Sequence, residues 1–178
     1  PSIEGTSFLR ARFGWLSSVE LGSRAQWSAG VDVEREDGSN ESALLLPPEF
    51  GGEVSGDYDF SRTTPGAFSE LVLERGRLLA ELGLRADFPQ DQAVEWSPRV
   101  GARYRIGNGG SFLRGSLSRA FKLPSFFVLG SPPALGGNPD LRSESSWGGD
   151  FALEHRGTAR DLSLSIGIFF NRFHDLID

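Results

Sequence analysis

Apolar and polar residues alternate with period two in eight separate stretches of this chain, and no stretch carries the spacing of an amphipathic helix. The clearest runs from Leu162, where Leu162, Leu164, Ile166, Ile168 and Phe170 are apolar while Ser163, Ser165, Gly167 and Asn171 fill the alternate row. Leu78, Ala80, Leu82, Leu84, Ala86 and Phe88 repeat the pattern against Glu81, Gly83, Arg85 and Asp87. So do Trp27 to Val33 and Val100 to Ile106. Leu9 to Trp15, Ala67 to Arg75, Phe112 to Ala120 and Trp147 to His155 complete the set, the second interrupted by Val72 on its otherwise acidic row. Each stretch predicts a strand with one apolar face.

The connections alternate as well. Tight, glycine-rich links fall near Gly22 to Ala25, Gly76 to Arg77, Gly107 to Gly110 and Gly157 to Arg160, where a hairpin needs residues tolerant of positive φ. Longer connections lie between them, roughly Glu36 to Gly66, Pro89 to Trp96 and Lys122 to Ser145. All tight turns therefore gather at one end of the sheet and all long loops at the other. That is the layout of an antiparallel up-and-down barrel in an outer membrane, with long extracellular loops at about 36–66 and 122–145. A small, complete eight-stranded outer-membrane barrel and a soluble ligand-binding eight-stranded barrel or sandwich also give alternating strands and stay as the rival readings.

The polar row carries Arg10, Arg12, Arg85, Arg99, Arg103, Arg105 and Arg114 against Asp32, Glu34, Glu70, Glu74, Glu81, Asp150 and Glu154. This near-balance fits charges pairing across neighbouring strands of a wet lumen, and fits a solvated soluble face too. Trp15, Trp27, Trp96 and Trp147, with Phe88 and Phe112, fall near strand ends, as interfacial girdles require.

Composition narrows the classes further. The 178 residues contain no Cys, which removes disulfide, zinc-ribbon and thiol-nucleophile readings. They contain no Met either, so a chain beginning at Pro1 reads as a processed product or an internal segment. A net charge of −6 argues against nucleic acid as a partner. No apolar run is long enough for a transmembrane helix, whereas a mean hydropathy of −0.25 is compatible with membrane strands.

The sixth predicted strand ends in Arg119-Ala120-Phe121-Lys122-Leu123-Pro124-Ser125-Phe126. After a Gly/Pro-rich stretch comes Gly137-Asn138-Pro139-Asp140-Leu141-Arg142-Ser143-Glu144, and Trp147 opens the next strand. With Ser97-Pro98-Arg99 upstream and Phe169-Phe170-Asn171-Arg172-Phe173-His174-Asp175-Leu176-Ile177 downstream, this order resembles the barrel region of TonB-dependent outer-membrane receptors. Leu123 stands where the family usually has Ala, Lys122 where Arg is frequent, and Ser143 where Pro precedes the Glu. The likeness is specific from about Trp96 onward and generic before it.

The resemblance implies a barrel of about 22 strands closed by an N-terminal plug, importing a ferric siderophore, cobalamin or glycan with energy delivered through TonB. Residues 1–178 would then be a partial barrel domain of about eight strands, without the plug and the last strands. Its expected partners are outer-membrane lipid, the plug, the remaining strands and, through the N-terminal region alone, TonB. The expected location is the cell outer membrane of a Gram-negative bacterium, with no cofactor.

Candidate ligand contacts are Phe50, Tyr58 and Phe60 in the first long loop, and Arg99 and Arg103 on the polar row. Phe121, Lys122, Pro124, Ser125, Asn138, Pro139, Leu141 and Glu144 are the motif positions that would shape the loop exit or meet the plug. Catalysis is not expected, because His155 and His174 fall near opposite strand ends, roughly 20 to 30 Å apart. No metal site is expected: Glu34, Glu36 and Asp37, or Asp57 and Asp59, read as solvated loop acids. Gly107 to Gly110 opens no helix and reads as a turn, not a phosphate cradle.

Overall fold

A computed structural model describes residues 5–45, 49, 52–133, 136–157 and 163–176. The eight long strands are β1 (Gly5–Glu20), β2 (Ala25–Glu41), β5 (Tyr58–Arg75), β6 (Leu78–Asp87), β7 (Glu95–Ile106), β8 (Ser111–Lys122), β9 (Glu144–Arg156) and β10 (Ser163–His174). A small hairpin, β3 (Ala43–Leu45) with β4 (Glu53–Ser55), lies between β2 and β5, and one short helix, α1 (Phe126–Gly130), follows β8. The long strands form a single antiparallel sheet in the order of the chain, β1 and β10 at its edges. This is an all-β up-and-down meander, as the period-two pattern and short turns require.

Its two faces have opposite chemistry. On β7, Trp96, Pro98, Val100, Ala102, Tyr104 and Ile106 all project outward, while Glu95, Ser97, Arg99, Gly101, Arg103 and Arg105 project inward. The outward row runs from one end of the strand to the other. At ~3.3 Å per residue it covers about 33 Å of strand, or about 25 Å of height at a ~40° tilt, which is the thickness of a membrane barrel's apolar band. Phe13 is 78% exposed and Ile166 74%, and the buried apolar side chains among the described residues are few: Ala86, Pro89, Pro124, Phe126 and Ala152. Apolar surface is thus displayed outward and not folded into a core. All four Trp lie on the outward row, Trp15 and Trp27 toward the tight turns, Trp96 and Trp147 toward the loops. The inward face is concave: one cavity on it is lined by residues of six consecutive strands, β1 to β8 without the small hairpin.

Several expectations change. The strands are longer than the alternating stretches, because the polar ends of β2 and β5 continue the pairing from Glu34↔Thr64 to Asn40↔Tyr58. The first long loop therefore shrinks from about 36–66 to 42–57, and the second occupies 123–143 between β8 and β9. Tyr58, Phe60 and Asp59 belong to β5, and Glu34, Glu36 and Asp37 to β2. The five-residue helix α1 is too short to leave a periodic signature. Leu46, Pro47, Pro48, Phe50, Leu162, Ile177 and the turn at 158–160 lie outside the described residues.

Candidate functional site

At the loop end of the concave face, a cavity of about 660 Å³ opens between the strands and the loop that follows β8. Its floor is built by cross-strand register. Glu36 lies directly opposite Arg10 on one side and Arg62 on the other. Arg62 donates to Glu36 Oε2 through Nε (2.9 Å) and Nη2 (2.7 Å), and Arg10 donates to Oε1 through Nε at 3.1 Å. Beside them Asp32 accepts from Arg12 (3.0 Å) and Arg85 (2.7 and 2.9 Å), and Arg85 also binds Asp87 (2.6 Å). Arg85 is on β6 and Asp32 on β2, with β5 between them. The guanidinium crosses that strand at Gly66, where a Cβ would sit 2.9 Å from Arg85 Cζ. Only a residue without a side chain leaves that passage open.

The charges are layered. The carboxylates of Asp32, Glu36 and Asp87 are almost fully covered, while the side chains of Arg10, Arg12 and Lys122 are 56%, 54% and 73% exposed. A molecule in the cavity therefore meets cations first. Buried carboxylates without such partners would be strongly unfavourable.

The loop after β8 docks onto this floor through Arg62. Its Nη1 donates to the Pro124 carbonyl at 3.0 Å, and its guanidinium stands 4.9 Å from the Phe126 ring centroid. Phe126 stacks on Phe60 (6.0 Å, 20° between planes) and tilts against Phe8 (6.3 Å), and Tyr58 lies 6.1 Å from Phe60. Pro124 is fully buried beneath. Ser125 caps α1, its hydroxyl accepting from Val128 N.

The predicted positions therefore divide. Tyr58, Phe60, Phe121, Lys122, Pro124 and Ser125 come together around the cavity or under its loop. Asn138, Pro139 and Leu141 build the loop's return. Asn138 N donates to the Val128 carbonyl, its side chain accepts from Asp140 N, and the Leu141 carbonyl accepts from Gln92. Glu144 lies opposite Lys122, 3.7 Å away. Arg99 and Arg103 do not join them. Arg99 sits with Glu70 and Glu81 (3.8 and 3.3 Å), and Arg103 lies farther toward the tight turns over Phe112. Phe50 lies outside the described residues.

Sequence reasoning missed Arg62, Phe8, Asp87, Glu95 and Arg119, and took Glu36 for a solvated acid. Arg119 binds Glu95 at 2.9 Å and the Trp96 carbonyl at 2.5 Å, tying β8 to β7. The signal was available in the spacing: Glu36, Gly38 and Asn40 continue the even-numbered inward row of β2, and Arg62 and Thr64 that of β5. His155 Nδ1 and Ser111 Oγ are hydrogen-bonded at 2.8 Å near the tight turns, while His174 ends β10 among the loops. The acids of β2 meet arginines and not one another, and among the described residues no group of three metal-ligating side chains converges.

The model of the family described as "TonB dependent receptor-like, beta-barrel" matches residues 3–178. The siderophore receptor PirA from Pseudomonas aeruginosa aligns with 94% of this chain and 32% of its own at 18% identity and a TM-score of 0.71. PirA from Acinetobacter baumannii aligns with 97% and 28% at 16% identity and a TM-score of 0.75. The copper transporter OprC aligns with 97% and 32% at 16% identity and 0.69. At these identities the likeness is one of fold, and the chain spans about a third of the solved proteins it matches. No curated protein matches it.

Proposed function

The chain belongs to the TonB-dependent receptor-like β-barrel family, and from this we infer that its eight strands are a stretch of wall in an outer-membrane receptor that imports a scarce ligand. The complete wall would hold about 22 strands around a plug, and TonB would engage a segment N-terminal to this stretch. The observation that carries the reading is the unbroken outward apolar row on β7, from Trp96 to Ile106, set against an inward row of Glu95, Ser97, Arg99, Gly101, Arg103 and Arg105. A soluble barrel would bury that row and wet the charged one.

Ligand would arrive from the loop end, where the cavity lies. Its exposed cations, Arg10, Arg12 and Lys122, favour an anionic chelate such as a ferric siderophore. A free copper ion fits this stretch less well, because it offers no Cys or Met. The reading is of a binding and transport protein, not a catalyst.

Two measurements test it. In the full-length protein, Leu82→Cys and Ile166→Cys should react with a lipid-phase probe, and Arg103→Cys with a water-soluble one. The reverse pattern would sink the membrane assignment. Uptake of a labelled ferric siderophore should fall when Arg10 and Arg12 are both changed to Ser; uptake that is unchanged would show that these arginines do not receive the chelate, and no siderophore uptake by the unaltered protein would move the ligand to the cobalamin or glycan class.

A further inference from the structure

The tight-turn end of the sheet separates its charges by face. Its inward rows end on Glu20 and Glu74 and on Arg105 and Arg156, two of each sign. Its outward rows and turns, among the described residues, hold Arg24, Arg75 and Arg77 and no acid. All three arginines are exposed, and none forms an ion pair among the described residues. The other end of the same two strands differs. There the outward rows of β2 and β5 carry Arg35, Asp37, Glu41 and Asp59, and Arg35 is taken up by Asp37 at 2.7 Å.

The backbone gathers the three arginines. Arg24 lies in the turn between β1 and β2, and its carbonyl accepts from Glu74 N at 2.7 Å, which sets it beside Arg75. Arg75 and Arg77 flank Gly76, whose φ of 61° closes the turn between β5 and β6. Arg77 donates to Asn108 Oδ1 at 3.0 Å, which holds its side chain along the rim and leaves its charge unmatched. Register fixes the level of the group. Arg75 stands opposite Leu78 and Leu78 opposite Tyr104, so the three share one outward rung. An amphipathic Tyr at the end of an apolar row seats where hydrocarbon gives way to headgroups. Inside this rung the outward row is apolar, with Leu71 and Leu73 on β5 and Ala80 and Leu82 on β6.

We propose that Arg24, Arg75 and Arg77 form a docking surface for the headgroup phosphate of an acidic phospholipid in the leaflet at the tight-turn end, with its acyl chains on the apolar rows of β5 and β6. The proposal rests on the reading of this sheet as a membrane wall. Three features select the occupant. The cations have no acid on their own face, and basic side chains beside an apolar span draw acidic lipid. Their level is that of Tyr104, and the surface runs on without a break into apolar rows that suit acyl chains. A guanidinium offers a phosphate two N–H groups at once. A zwitterionic lipid brings its own ammonium to the same place and gains less.

The test uses the full-length protein, equilibrated with a three-to-one mixture of phosphatidylethanolamine and phosphatidylglycerol, with native mass spectrometry reading the lipids that stay bound. Phosphatidylglycerol should be enriched over the mixture, by about fivefold for each arginine engaged. Changing Arg24, Arg75 and Arg77 together to Gln should return the bound ratio to that of the mixture, and changing all three to Lys should keep most of the enrichment. Arg35→Gln, at the other end of the same strands, should leave it unchanged. No enrichment in the unaltered protein would assign the arginines to an acidic protein of the aqueous phase or to no partner, and overturns the proposal. Enrichment that survives the triple Gln change, or that falls equally with Arg35→Gln, overturns it too. Failure of the membrane reading is separately visible: it would abolish lipid-phase labelling at Leu82→Cys and Ile166→Cys, which a failed docking surface leaves intact.

Discussion

Arg62 and Glu36 face each other across β5 and β2, and both donors of Arg62 converge on one carboxylate oxygen while its third nitrogen reaches over to the carbonyl of Pro124. A single side chain thus joins two neighbouring strands to a loop whose parent strand, β8, lies three places away in the sheet.

Arg62→Ala should release that loop. It leaves Glu36 buried with Arg10 alone and the Pro124 carbonyl without its donor. Removing one partner of a buried ion pair costs about 3–5 kcal/mol. Hydrogen exchange in the full-length protein should accelerate at residues 126–131, with strand amides of β2 and β5 less affected. Protection that is unchanged there would mean that the aromatic stack alone holds the loop.

Gly66→Val should cut the bridge from Arg85 to Asp32. The new Cβ would meet the far end of Arg85, which can swing away, so the strand survives and the contact does not. Asp32 would keep Arg12 only. The expected loss is about 1–3 kcal/mol, and a double-mutant cycle with Asp32→Asn should show that Gly66→Val costs little once the carboxylate is gone.

Gly130→Ala sets two effects against each other. Alanine favours the helix by roughly 1 kcal/mol, but its methyl would lie 2.6 Å from Tyr58 Cβ and 2.6 Å from Phe60 Cε2. Overpacking of this kind costs about 1–3 kcal/mol. The contact with Tyr58 Cβ is to a rigid part of the side chain, so the steric effect wins, and thermal unfolding should show a net loss that Tyr58→Gly relieves.

Charge on the outward row should be penalised by depth. Leu82 pairs with Val100, near the middle of the apolar band, and Trp96 lies at its loop end. Leu82→Arg should cost about 2–4 kcal/mol and Trp96→Arg about 0–1 kcal/mol in a bilayer. Denaturant titrations of the lipid-embedded protein read both. Equal costs at the two sites would contradict a membrane-spanning wall.

The strands were legible because a two-sided sheet leaves its period in the sequence wherever one side is apolar. Trp27 to Val33 and Val100 to Ile106 are read without effort for that reason. Where β2 continues past the apolar band both faces turn polar, and on β5 the outward face turns polar while the inward one carries Tyr58, Phe60, Arg62 and Thr64, so the apolar period is lost while the pairing goes on. That is why Glu36, Arg62 and Thr64 looked like loop. The motif around Phe121 to Phe126 identified the family, yet what it touches could not be read, since its partners Gly38, Phe60 and Arg62 lie more than sixty positions upstream.

The strand order carries a consequence for assembly. Every pair of long strands that touches is adjacent along the chain, so the wall can grow one hairpin at a time with only short closures. The link from Arg62 to Pro124 spans 62 positions and cannot form until β6, β7 and β8 have been laid down between them. Its closure is a late event by construction, and a seated α1 therefore marks a stretch of wall whose intervening strands are already in register.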